Sequence, residues 1–276
     1  MFFSLTFAFT WVAWLAAAAI VAHGLPESSA HPGLRGALFL PGTFGPALVA
    51  LAITAWTEGR AELAALLGRI VKWQVEARLY VFAIAYMVGI KLAVALVHRI
   101  ALGAWPRFGE TQWLLMAVAI LTSMWFQAGE EIGWRGYALP RLTARFGLAR
   151  ASVVLGVIWA LWHLPLFFIP VGDTFGQSFP MFLLEVTALS VALAWLYWKS
   201  GGSLLLVMMM HAAINNTKDI VPSVTTGATN PFSLQASTVA WLTVLMLWVG
   251  AAYLLVRMRG VRSVAEVDGA LRVAES

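Results

Sequence analysis

The stretch QWLLMAVAILTSMWFQAGEEIGWR, residues 112–135, is a mostly apolar run that ends in two glutamates and an arginine. It is long enough to cross a hydrocarbon core of about 30 Å as a helix, which needs roughly 20 apolar residues. Strands of a membrane barrel alternate apolar and polar residues, so helix is the only spanning form that suits it. The stretch therefore predicts a transmembrane helix with charges near one end.

Seven further apolar runs of similar length lie along the 276 residues. They are approximately 2–22, 37–57, 79–98, 150–170, 179–198, 203–220 and 238–257. Hydrophobic residues make up 61% of the chain and charged residues 11%, whereas soluble proteins carry about 25% charged residues. The sequence predicts an all-α polytopic membrane protein, a bundle of about eight transmembrane helices.

No internal repeat and no low-complexity linker divides the chain, so residues 1–276 are expected to form a single transmembrane domain. Its motif-bearing core is expected at about 112–220, and a short cytoplasmic tail at 258–276. The charged segment 58–78 fits either an amphipathic helix at the membrane interface or a plain basic loop. The first apolar run has neither a preceding basic segment nor a following cleavage site, so it is expected to be retained.

The net charge of +5 reflects an uneven distribution of basic residues. With a cytoplasmic amino terminus, the loops on that side and the tail hold twelve Lys and Arg, against four on the opposite side. Cytoplasmic loops are enriched in these residues, so both termini are expected in the cytoplasm. A composition rich in Ala, Arg, Gly and Trp favours a bacterial cytoplasmic membrane. The basic residues are expected to touch membrane lipid, and no nucleic-acid partner is expected.

Ionisable side chains inside predicted helices need a function, because a charge at the bilayer centre costs about 2.5–3.5 kcal/mol. They are Lys91, Glu130, Glu131, Arg135, His163, Glu185 and His211. Lys91 is expected to snorkel or to pair, and Glu185 to hydrogen-bond between helices. The absence of cysteine excludes disulfides, thiolate nucleophiles and Cys-ligated zinc.

The first motif places Glu131 and Arg135 four residues apart on one helical face, where a desolvated ion pair can form. Glu130 points about 100° away, so it can stay free while its neighbour is held by the arginine. A carboxylate in this position is a candidate general base or acid. Alternatively, the three residues form only a salt-bridge cluster at the end of a helix.

Two further motifs carry histidines. Trp159 and His163 are one turn apart, so the indole can form a wall beside the imidazole, and Pro165 can kink the helix and free a carbonyl. His211 and Asn215 share a face and could bind one atom or oxyanion together. Each histidine could instead be a hydrogen-bonding strut between helices.

Glu130, His163 and His211 are expected at a similar depth. Measured from the cytoplasmic ends of their helices at a rise of 1.5 Å per residue, they lie roughly 14, 20 and 14 Å below the surface. A coincidence of three unrelated struts at one depth is less plausible than a shared site.

In this order, the three motifs resemble those of the CAAX-protease and bacteriocin-processing family of intramembrane proteases, also called the Abi family. The matching elements are Glu130-Glu131-x-x-x-Arg135, His163 with an aromatic residue four positions before it, and His211-x-x-x-Asn215. The family usually has Phe at the aromatic position, where this chain has Trp159. The Gly45-Pro46 helix start and the basic stretch 58–78 also look like bacterial members.

The resemblance implies endopeptidase cleavage of a membrane-associated peptide or protein. Glu130 and His163 would activate the attacking water, and His211 with Asn215 would stabilise the tetrahedral oxyanion. Glu131 with Arg135 would hold the site in shape, while Trp159 would line the substrate pocket. The eukaryotic branch of the family removes the last three residues of prenylated CAAX proteins.

A metal-dependent variant of the reaction is also associated with the family. In it, His163 and His211 would ligate zinc, and Glu130 would ligate it or act as base. Only two strong neutral ligands are present, and Asn is a poor one, so chemistry without an obligatory metal is favoured. The expected cofactor is accordingly none or zinc.

Two readings from other classes remain open. A non-catalytic immunity or scaffold protein would keep the motifs for structure and bind a peptide or partner. A proton-coupled transporter would use Glu130 and His211 as relay groups, although the missing repeat symmetry disfavours it.

Overall fold

The computed structural model describes residues 1–24, 32–170, 174–223 and 230–262, and every regular element within them is helical. The α-helices, in chain order, are α1 Phe2–Gly24, α2 Pro32–Thr43, α3 Gly45–Thr57, α4 Arg60–Gly68, α5 Ala77–Leu102, α6 Trp113–Ser123, α7 Ala128–Glu131, α8 Leu139–Phe146, α9 Leu148–Trp162, α10 Phe179–Lys199, α11 Leu204–Thr217 and α12 Thr238–Arg257. Short 3₁₀ turns cover Arg69–Val71, Leu164–Phe167 and Lys218–Ile220, and a π-helix covers Ile132–Ala138. The predicted all-α class is confirmed.

The eight predicted runs all contain helix, but they differ in length. Among the described residues, four helices are long and apolar enough to span a membrane, namely α1, α5, α10 and α12. The run 37–57 is a pair of helices bent by 42° at the junction of α2 and α3, which makes up to five spans. The helices α6, α9 and α11 are shorter. Of the predicted tail at 258–276, residues 263–276 lie outside the described part of the chain.

The run 112–135 is not one continuous helix, which corrects the prediction made from it. The helix α6 ends at Ser123, and the chain turns before α7 and the π-helix. Close packing against the start of α3 accompanies this break. A Cβ on Gly133 would lie 2.5 Å from the carbonyl of Pro46, so only glycine allows that approach. The Gly45-Pro46 segment therefore packs against the motif that contains Glu130, Glu131 and Arg135.

The charged segment 58–78 contains the short helix α4, and its basic residues anchor it to the bundle. Arg69 donates to the hydroxyl of Tyr197 at 2.8 Å, and Lys72 donates to the carbonyl of Gly201 at 2.8 Å. The sequence left a helix or a plain basic loop as alternatives for this segment, and the structure shows a helix that is nine residues long.

Several of the basic loops lie on one face of the bundle. Arg141 pairs with Glu58, and the backbone N–H of Leu148 donates to the carbonyl of Val261 at 2.9 Å. These contacts place the end of α3, the turn between α8 and α9, and the end of α12 on the same side. The cytoplasmic assignment of this face stays a prediction.

Candidate active site

The indole of Trp159, buried near the end of α9, connects the predicted site residues. Its Nε1–H donates a hydrogen bond of 2.6 Å to Oε2 of Glu130, whose residue is only 7% exposed. The sequence suggested Trp159 only as a wall, so its role as a donor is a finding of the structure. Glu130 is consequently held by an uncharged partner, separate from its acidic neighbour.

Glu131 lies at the centre of a buried charged group. Its Oε1 accepts from Nη1 of Arg135 at 3.1 Å, and both side chains are fully buried. The same oxygen lies 2.7 Å from Nδ1 of His211 on α11. The four-residue spacing predicted the first contact, but nothing in the sequence predicted the second. Glu131 therefore connects its own motif, through a direct contact, to His211 on α11.

Arg135 also contacts Trp159. Its guanidinium carbon lies 4.4 Å from the indole centroid, which is within range of a cation–π interaction. Nε and Nη2 of Arg135 have no hydrogen-bond partner among the described residues, and neither has Oε2 of Glu131. The pair thus retains unused donors and an unused acceptor inside the bundle.

His163 follows the last residue of α9, where the chain turns into the 3₁₀ segment containing Pro165. Its backbone N–H bonds to Ala160, so the carbonyl of Trp159 is available and lies 2.9 Å from the imidazole Nδ1. A carbonyl can only accept, so Nδ1 carries the proton in this contact. In the neutral ring, Nε2 then keeps its lone pair.

Aromatic rings surround the imidazole of His163. The ring centroids of Trp162 and Phe182 are 4.7 and 5.1 Å away, and that of Trp159 is 5.9 Å away. Sequence reasoning did not select Trp162 or Phe182. Trp162 directly precedes the histidine and could have been noticed, whereas Phe182 is brought in by the packing of α10.

The two residues of the third motif, His211 and Asn215, differ in their exposure. His211 is 5% exposed, and its ring centroid lies 5.3 Å from that of Trp159 in an edge-to-face arrangement. Asn215 is one turn further along α11 and is exposed, and its side chain makes no hydrogen bond within the described ranges. The structure therefore brings six of the seven predicted side chains together, Trp159 and five others, and Asn215 is not among them. We call these six, Glu130, Glu131, Arg135, Trp159, His163 and His211, the Trp159 site.

Zinc ligation was tested against this geometry. In the part of the chain that the structure describes, no three His, Asp or Glu side chains are grouped closely enough to hold a metal ion. The suggested donors His163, His211 and Glu130 do not form such a set, although Nε2 of each imidazole stays available because Nδ1 faces a protein acceptor. This grouping does not favour the metal-dependent variant, and the expected cofactor, none or zinc, stays a prediction.

Comparison with known proteins identifies the segment that carries the site. Residues 109–217 match the sequence profile of a family described as type II CAAX prenyl endopeptidase, Rce1-like. A protein of Methanococcus maripaludis named CAAX prenyl protease 2 is 34% identical over 98 residues, which cover 33% of this chain and 36% of that protein. The match thus spans about a third of the length of the curated relative. The resemblance seen in the motifs is confirmed, because the segment that carries the site is similar in sequence to Rce1-like CAAX prenyl endopeptidases.

Proposed function

We propose that the protein is an intramembrane endopeptidase that hydrolyses a peptide bond of a membrane-associated peptide or protein. The observation that carries the proposal is the convergence of two carboxylates, an arginine and two imidazoles on the indole of Trp159. Such a concentration of ionisable groups inside a membrane protein is expensive unless it performs chemistry.

Glu130 and His163 activate the attacking water. Glu130 takes its proton as general base, because its partner Trp159 leaves the second carboxylate oxygen available. His163 offers the lone pair of Nε2, since the carbonyl of Trp159 fixes the proton on Nδ1. The two groups come from different helices, so the water is held from two directions.

His211 and Asn215 stabilise the tetrahedral oxyanion. His211 donates to the oxyanion from Nε2, while its Nδ1 is held by Oε1 of Glu131. Asn215, exposed one turn away, supplies a second donor to a substrate that approaches along α11. Arg135 neutralises Glu131 and fixes its position, so the pair serves as a positioning device rather than a reacting one.

The substrate class follows from the family. The matched relative is named a CAAX prenyl protease, so a prenylated peptide ending in a CAAX sequence is the first substrate to test. The prenyl chain would hold such a peptide at the membrane, close to a site between helices. Bacterial-looking members without this substrate make an unprenylated membrane peptide the second choice.

The test uses the full chain in proteoliposomes with an internally quenched, farnesylated CAAX peptide and, in parallel, a membrane-spanning unprenylated peptide. We expect the wild type to release a product whose new carboxylate carries ¹⁸O from labelled water. The variant Glu130→Gln should release none while keeping its thermal unfolding temperature. The matched control Glu110→Gln changes an exposed carboxylate outside the site and should cleave normally. Cleavage of neither peptide, or equal cleavage by Glu130→Gln, would contradict the proposal.

A further inference from the structure

A groove lies where the turn between α8 and α9 meets the end of α12. Two adjoining surface cavities form it, with volumes of ≈ 330 Å³ and ≈ 700 Å³. Both are lined by Phe146, Ala149, Arg150 and Arg259, so they are two parts of one depression. The groove is distinct from the Trp159 site, because none of the six residues of that site lines it.

The smaller cavity is strongly basic. Four exposed arginines line it, namely Arg145, Arg150, Arg259 and Arg262. None of them has an ion-pair partner among the described residues, and no acidic side chain there lines either cavity. Unpaired guanidinium groups that face one cavity favour an anionic ligand, and their planar donors match phosphate oxygens in pairs.

The larger cavity is apolar apart from the two arginines at its end. Val153 and Val154 on α9 face Leu255 on α12, and Phe146 closes the basic end. Val153 lies one turn from Ala149 and Val154 one turn from Arg150, so the apolar wall runs along the helix away from the charges. A single ligand that fills both cavities needs an anionic head and an apolar chain.

We propose that this groove binds an anionic phospholipid, with the phosphodiester against the four arginines and one acyl chain between α9 and α12. Charge complementarity selects the head group, and the apolar strip selects a lipid over a soluble anion. The groove lies on the face where several basic loops gather, at the ends of both helices, which is the level at which head groups lie. The inference concerns a lipid site and does not depend on proteolysis.

The test measures lipid retention by native mass spectrometry of the full chain, purified in detergent and supplied with equal phosphatidylglycerol and phosphatidylcholine. We expect the wild type to retain phosphatidylglycerol preferentially. Replacing Arg150 and Arg259 by Gln should lower its apparent affinity about 30-fold, since each basic residue near a head group contributes about fivefold. The matched control Arg60→Gln with Arg257→Gln removes the same charge from exposed positions outside the groove and should retain the lipid.

A second variant separates a lipid from other occupants. Val154→Trp fills the apolar strip without changing charge, so it should weaken phosphatidylglycerol retention while inorganic phosphate fails to displace the lipid from the wild type. Displacement by millimolar phosphate, or full retention by Val154→Trp, would show an anion site only and overturn the proposal. Equal loss in the Arg60 and Arg257 control would show attraction by net charge alone and would also overturn it. Lipid retention seen only in a chain ending at Arg262 would make residues 263–276 the occupant instead.

Discussion

Two buried charged groups in this protein are constructed differently. In the Trp159 site, Glu131 forms an ion pair with Arg135 and also contacts His211. In the second group, which we call the Lys91 cluster, Lys91 on α5 donates to two hydroxyls. They belong to Ser223, at 2.9 Å, and Thr243 on α12, at 3.3 Å. Glu185 on α10 and Asp219 act on Lys91 electrostatically, without a direct ion pair among the described residues.

The comparison distinguishes a group proposed to carry out chemistry, the Trp159 site, from a group that holds helices together, the Lys91 cluster. Lys91 is fully buried, so it does not snorkel, and among the described residues it hydrogen-bonds to hydroxyls instead of forming the predicted ion pair. Its hydroxyl partners are neutral and can satisfy an ammonium without any further charge. The Trp159 site instead keeps donors and an acceptor that the described residues leave unused. Because Glu131 and Arg135 are fully buried, this unused capacity belongs to the pair that positions the site, whereas the Lys91 cluster joins α5 to α12.

Arg135→Met should have the largest effect on this comparison. Removing the cation leaves Glu131 buried and uncompensated, and breaking such a pair costs about 3–5 kcal/mol. Thermal unfolding in detergent measures the loss. The double variant Glu131→Gln, Arg135→Met should recover much of the stability because no charge then stays unpaired. A loss below about 1 kcal/mol in the single variant would show that His211 alone satisfies Glu131.

His163→Asn should slow cleavage about 100-fold, at the lower end of what general acid–base groups contribute. The asparagine amide can still donate to the carbonyl of Trp159, so the end of α9 should be preserved. The measurement is kcat/KM on the peptide that the wild type cleaves, with the unfolding temperature as the control. An unchanged rate would show that His163, like Lys91, only connects helices and takes no part in the reaction.

Lys91→Met should lower the free energy of unfolding by about 1.5–3 kcal/mol, the range for hydrogen bonds that involve a charged group. The remaining hydroxyls are neutral, and that of Thr243 also donates to the carbonyl of Val239 at 2.8 Å. Cleavage by the folded fraction should be unchanged. A loss of rate without a loss of stability would move the Lys91 cluster into the catalytic machinery.

Trp159→Phe should give the smallest change, a decrease of about tenfold in kcat with little change in KM. Phenylalanine keeps the aromatic wall but removes the N–H that orients Glu130, and one hydrogen bond to a carboxylate is worth about that much. Steady-state kinetics separates the two parameters. A rise in KM alone would show that the indole binds substrate and does not position the base.

The sequence by itself determined what depends on local geometry. Apolar runs specify helices because backbone groups must be satisfied internally in lipid, and the spacing of Glu131 and Arg135 specifies their ion pair within one turn. Trp159 and His163 likewise meet one turn apart. These contacts follow from helical periodicity alone, so a reader of the sequence can state them in advance.

Only the tertiary structure decided which motifs meet. Glu131 reaches His211 across 80 residues of sequence, and Trp159 reaches Glu130 across 29, because the packing of α9 and α11 against the broken run at 112–135 brings them together. Just after the break, Gly129 and Gly133 pack closely against Thr43, Phe44 and Pro46 around the junction of α2 and α3, a contact that no local pattern reveals. Helical periodicity fixes which side chains share a face, but the partner of each face is fixed by the packing of distant segments.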